Sequence, residues 1–216
     1  MNNFAILEEV LHAMESVAFM TGIILYKKVK STCFKWFVFY LGFIILAEII
    51  GKIVRLIHVN NQFMYSYIVI PIEFIFFHWL YYQYSTIKDR MRIKVSLLLY
   101  IFSLFIEEVF FQESQKFLFL SFSYSIGNAV LLFIVFQYFF KLINSERILY
   151  FYQEHLFWIS CGLLLFYLGT SPYYGLYNYL KNNHLDILYG YAYVMYFLNC
   201  SMYLLFAASF IWGKEK

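Results

Sequence analysis

Four ionisable side chains recur at steps of four, three and three in the stretch LAEIIGKIVRLIHVN, residues 46–60: Glu48, Lys52, Arg55 and His58. At helical spacing these steps place all four on one face. Acids and bases sharing a face can pair, hold a cation or pass a proton. The residues around them are those of a membrane helix, where an ionisable group is costly and marks a functional position. A second set, Glu8, Glu9, His12 and Glu15, interrupts the first apolar segment. Glu73 follows Pro71 in PIEFIFFHW, and Glu107 and Glu108 close a further apolar run. Away from the segment ends, Lys52 and Arg55 are the lysine and arginine set against the glutamates. Glu48 precedes Lys52 by four residues, the favourable order for a helical ion pair. Carboxylates left over must be protonated, reach water or hold a cation. Glu8, Glu9, Glu107 and Glu108 also fit a plain placement among headgroups or water, whereas Glu15, Glu48 and Glu73 fall nearer the middle of their segments.

The elements that position these groups follow from composition. The chain of 216 residues is 63% hydrophobic and 25% aromatic, with 13% charged residues and two prolines. Soluble domains carry roughly twice that share of charge. Apolar segments lie near residues 4–26, 34–58, 63–84, 92–111, 117–142, 153–175 and 185–212, each long enough for a helix to cross about 30 Å of hydrocarbon. The expected fold is an all-α polytopic membrane bundle of seven transmembrane helices in a single domain, residues 1–216. The short connections KKVKSTCFK, NNQ, STIKDRMR, QESQ and INSERI make successive helices antiparallel neighbours. The first segment is the most interrupted. An interfacial amphipathic helix there would leave six spans.

Lysine and arginine orient the bundle. Lys27, Lys28, Lys30, Lys35, Lys88, Arg90, Arg92, Lys94, Lys141, Arg147, Lys214 and Lys216 share one side if seven segments alternate. The opposite connections hold Lys116 and Lys181. The N-terminus is therefore expected outside and the C-terminus inside. Trp36, Trp79, Trp158 and Trp212 fall toward the inner ends of their segments, as an interfacial aromatic belt would. Projected onto this topology, most of the intramembrane ionisable groups lie in the outer half. Glu15, Glu48 and Glu73 approach mid-depth, with His12 and Glu9 above them. The expectation is a polar, acidic, outward-facing cavity that takes a cation or an amphiphilic amine, with Lys52 and Arg55 as charge partners.

Several chemistries are disfavoured. Glu9-x-x-His12 has the spacing of a di-metal carboxylate ligand pair, yet no second copy stands on another segment. The histidines His12, His58, His78, His155 and His184 are scattered in depth and lack a His-x-x-x-His pair. The seventh segment has no lysine for a retinal Schiff base, and neither a nucleophile elbow nor a phosphate loop occurs. Cys33, Cys161 and Cys200 read as packed thiols, since their odd number and wide spacing define neither a metal knuckle nor a disulfide framework. MNNFAILEEV is acidic where a signal peptide is basic. No basic run suggests nucleic acid. No catalytic residue, metal or cofactor is implied.

The sixth segment, FWISCGLLLFYLGTSPYYGLYNYL, carries Gly162 and Gly169 seven residues apart, on one face, where they permit close helix approach. Pro172 is expected to end or kink the span. SPYYGLYNY then makes an aromatic outer loop, in which Tyr173 and Tyr174 lid the cavity or join an ordinary tyrosine belt. Asn128 and Asn199 read as interhelical hydrogen-bonding groups.

FWISCGLLLFYLGTSP, with GIILYKK, PIEFIFFHWLYY and the closing FIWGKEK, resembles a family of small uncharacterised bacterial seven-helix inner-membrane proteins along the whole chain. The resemblance implies a multi-pass protein of the bacterial inner membrane. It further implies a stand-alone sensor module, by association with neighbouring histidine-kinase genes. The leading expectation is thus a non-enzymatic membrane sensor or accessory protein. Its short inner connections leave output to a membrane or cytoplasmic protein partner. The alternatives are a small transporter or cation- or proton-conducting protein, and behind it a membrane-embedded hydrolase.

Overall fold

The computed structural model of the chain describes residues 2–57, 61–111 and 120–214. His58, Lys116 and Lys216 lie outside them. The described residues are predominantly helical, with no strand among them. Lipid supplies no partner for backbone N–H and C=O, so an apolar chain of this composition bonds its backbone within each segment. The long helices are α1 (Asn2–Ile24), α2 (Lys35–Leu56), α3 (Gln62–Tyr84), α4 (Ile87–Phe111), α5 (Ser121–Ile143), α6 (His155–Gly175) and α7 (Leu185–Trp212).

Five of these, α2, α3, α5, α6 and α7, are long and apolar enough to cross a membrane. The other two differ by charge. Any membrane-length stretch of α1 includes Glu8, Glu9 and Glu15, and any such stretch of α4 includes Lys94 with at least two further charges among its neighbours. The outward surface of the five is greasy: Leu46, Leu56, Phe140, Leu168 and Phe197 are each more than half exposed. Such a surface is compatible with lipid as the surrounding solvent. The chain is a helical membrane protein.

Helix ends follow local chemistry. α4 begins five residues earlier than its apolar pattern predicts, taking in most of STIKDRMR. Thr86 donates its hydroxyl to Asp89, and the Asp89 N–H donates to the Thr86 carbonyl at 3.0 Å, so the two residues close a first turn ahead of the apolar run. α3 opens through a π-helical turn, Tyr65–Val69, directly before Pro71. Proline has no N–H for the carbonyl four residues back and its ring crowds that turn, so the turn widens. The INSERI connection continues as a 3-10 helix, Glu146–Gln153.

The chain forms two compact units. Unit 1 comprises Met1–Glu48, Val135–Thr170 and Gly190–Lys216. Its centre is aromatic: Phe37, Phe206 and Phe210 are fully buried, with Phe37 set 5.0 Å edge-on to Phe206 and 5.6 Å from Phe210. Gly162 and Gly169 both face α7, as their spacing predicts. A Cβ at Gly162 would lie 3.2 Å from the Met202 carbonyl, and one at Gly169 would lie 2.5 Å from Leu198. Tyr191 adds a hydroxyl bond to the Gly169 carbonyl at 2.5 Å. Unit 2 comprises Ile49–Ile134 and Ser171–Tyr189. Phe74, Phe77, Leu80 and Leu131 are fully buried there, and Phe74 stands 4.8 Å from Tyr100.

Candidate functional site

α1 assembles the acidic cluster of unit 1. Glu8, His12 and Glu15 are separated by four and three residues, so they fall within an arc of about 60°. The His12 ring lies between the two acids. Nδ1 is 3.3 Å from Glu15 Oε2, and Nε2 is 3.7 Å from Glu8 Oε1. Glu15 is buried, with 3% of its surface exposed, and its charge is within electrostatic reach of Cys200 on α7. Phe4 stacks on Tyr193 at 4.7 Å and holds the start of α1 against α7. Glu9, three residues before His12, is exposed, and Glu8 is the acid 3.7 Å from the ring.

Two carboxylates thus flank one imidazole on a single face of α1. Cations and protonated amines match the charge of a carboxylate. Glu48 also belongs to unit 1, where it is half-buried on α2. Lys52 and Arg55 belong to unit 2; Lys52 is half-buried and Arg55 exposed.

Unit 2 has an acidic group of its own. Glu107, near the C-terminal end of α4, is buried. Its carboxylate accepts the Phe122 N–H at 3.1 Å on Oε1 and the Ser123 N–H at 2.6 Å on Oε2. These are unbonded donors of the first turn of α5, where a negative charge is stabilised. Ser123 Oγ donates to the Ser103 carbonyl at 3.0 Å, closing the same joint. Glu108 is exposed and accepts the Tyr67 hydroxyl at 3.0 Å. Tyr100 is buried within electrostatic reach of both Glu73 and Glu107. Glu73 itself is half-buried on α3.

From the sequence, Glu107 stands open between the bundle and the headgroups or water, and this cap is not visible. One signal for it was present. An acid in the last turns of a helix opposes the helix dipole, so it needs another partner.

The aromatic segment after Thr170 is a correction. SPYYGLYNY is not an irregular loop: α6 runs through Pro172 to Gly175, and a second short helix covers Tyr177–Asn183. Proline is tolerated inside a membrane helix where neighbouring groups satisfy the freed carbonyl. Tyr173 and Tyr174 are therefore helical residues with defined ring contacts. Tyr173 is buried, 5.1 Å from Tyr174 and 5.8 Å from Tyr177, while Tyr174 lies 4.5 Å from Tyr124.

Among the described residues no group of three or more His, Cys, Asp and Glu side chains is placed to hold a metal ion. Compared with known proteins, the chain matches no family model, no curated protein and no solved structure.

Proposed function

We propose that the chain is a non-enzymatic receptor of a bacterial inner membrane, with α1 to α7 all embedded, the N-terminus outside and the C-terminus inside. It takes a cation or a protonated amine at its outer acids and passes the signal to a partner protein. The observation that carries this reading is Glu15: a carboxylate 3% exposed on an apolar helix, with His12 3.3 Å away and Glu8 completing the cluster. A buried acidic group of this kind is expensive to hold and is repaid when a cation binds. The short connections between helices leave signal output to another chain.

The test is thermal unfolding of the purified protein in detergent, titrated with inorganic cations, with alkylamines and with anions. Cations or amines should raise the midpoint of the wild type and anions should not. Glu15→Gln, which keeps the shape of a protonated carboxyl, should fold and lose that rise. A wild type indifferent to every cation and amine, or a Glu15→Gln variant that responds in full, removes the receptor reading.

A further inference from the structure

The end of α7 and the segments packed on it in unit 1 bring cations and aromatic rings to one place. Lys28, on the helical turn Tyr26–Val29, donates its ammonium to the Ile211 carbonyl at 3.3 Å. Lys214 follows three residues later, and its backbone N–H is fixed to the Gln153 carbonyl at 2.8 Å. Trp212 stands between these anchors, 4.7 Å from Trp158, and the Trp158 indole N–H donates to the Tyr152 carbonyl at 2.9 Å. Lys28, Lys214, Trp212 and Tyr152 are all exposed. Gly213 admits no other residue without a shift, since an added Cβ would strike the His155 ring and the Ser209 carbonyl. The position of Lys214 is therefore set by packing.

Charge on this end is one-sided. Lys27, Lys28, Lys30, Lys35, Lys141, Arg147 and Lys214 belong to unit 1 at the ends of its helices. Against them stand Glu146 and Glu154 among the described residues. Glu154 is already neutralised, by Arg147 at 2.6 and 2.5 Å and by the Tyr138 hydroxyl at 3.1 Å. The adjoining 3-10 helix turns Leu149 and Tyr150 outward, 70% and 52% exposed. Apolar and aromatic side chains of this kind sit at the boundary between headgroups and acyl chains.

We infer that Lys28 and Lys214, at the end of α7 that carries the Trp158–Trp212 pair, form a binding site for the headgroup of an anionic phospholipid. The Lys28 ammonium has two N–H donors beyond the one given to Ile211, and Lys214 has its whole side chain available to a phosphate. The tryptophans supply amphipathic rings at headgroup depth, and Leu149 and Tyr150 extend the contact toward the acyl chains. Each lysine near an anionic surface adds to affinity independently of the rest of the fold.

Native mass spectrometry of the detergent-solubilised protein, titrated with phosphatidylglycerol and with phosphatidylcholine, reads the site directly. The wild type should retain phosphatidylglycerol in preference, by about tenfold or more in apparent affinity. Lys28→Gln with Lys214→Gln should lose most of that preference. Lys28→Arg with Lys214→Arg should keep it, and Lys181→Gln, a charge removed from unit 2, should leave it unchanged. Inorganic phosphate should not compete at millimolar concentration. No preference in the wild type, or full preference in the double Gln variant, overturns the site. Competition by free phosphate at the affinity of the lipid overturns the assignment to a headgroup.

Discussion

At the scale of single residues, carboxylates of identical type hold unlike roles because their surroundings differ. Glu107 is the clearest case. Its two oxygens satisfy the Phe122 and Ser123 N–H groups, so it joins the end of α4 to the start of α5. Glu107→Ala leaves both donors without their acceptor, the Ser123 N–H buried, and unfolding in detergent should show a loss of about 1–3 kcal/mol. Glu107→Gln keeps one acceptor oxygen and should lose less, while Glu108→Gln, at an exposed position, should change little. Equal effects at 107 and 108 would show that the cap carries no stability. Tyr177 gives a residue-scale expectation in pH. Burial raises its phenol above the ordinary 10.0, and the nearby Tyr189 adds to the shift. The folded state thus holds this proton more tightly than the unfolded state. Its contribution to stability is complete below the unfolded value and is lost as pH rises through the folded one. Wild-type protein should weaken above about pH 10. Tyr177→Phe should flatten that part of the profile, as followed by thermal midpoints across alkaline pH.

At the scale of elements, glycine decides how closely α6 meets α7. The seven-residue step from Gly162 to Gly169 made their common face legible in the sequence, and Met202, Phe206 and Leu198 fill the space that the missing side chains leave. Gly162→Leu forces its side chain toward the Met202 carbonyl and should cost about 1–3 kcal/mol by overpacking. Gly190 is a control on α7, since a Cβ there meets nothing within 4 Å. Gly190→Ala should be neutral or stabilising by up to about 1 kcal/mol, because alanine favours the helix. Matching thermal midpoints for the two variants would mean that α6 and α7 do not depend on close approach. Element boundaries were less legible than element identity. The Thr86–Asp89 turn that opens α4 was hidden inside a charged stretch that reads as a connection. The sixth segment's end at 175 was legible, whereas the short helix Tyr177–Asn183 was hidden because proline signals a break wherever the surroundings of its freed carbonyl are unknown.

For the whole molecule, orientation is the property that most constrains function, because it decides which compartment the α1 cluster meets. Reporter fusions after Lys30, Arg90, Ser145 and Lys216 should read cytoplasmic, and fusions after Asn60, Gln115 and Asn183 external. An external signal at Lys30 would invert the proposed topology and move the acids to the inner side. The sequence expectation of one acidic cavity joined Glu15 and Glu48, which belong to unit 1, with Glu73, which belongs to unit 2. Within unit 1 Glu8 and Glu15 flank His12, and within unit 2 Glu73 and Glu107 both lie in electrostatic reach of Tyr100.

The sequence by itself determined that the chain is helical and built for lipid. Apolar runs of membrane length leave the backbone no partner but itself, and this constraint is local to each segment. It also determined which faces carry charge and which carry glycine, because a helix converts spacing into direction. Even the Glu8–His12–Glu15 arc was available from spacing. Only the tertiary structure decided what stands opposite each face. Glu107 found the start of α5, Gly162 found Met202, and Lys28 found the end of α7, across a sequence separation of 183 residues. Periodicity sets the direction in which a side chain points. The atoms it meets depend on helix adjacency, which is settled by packing summed over many small contacts and not by any one residue.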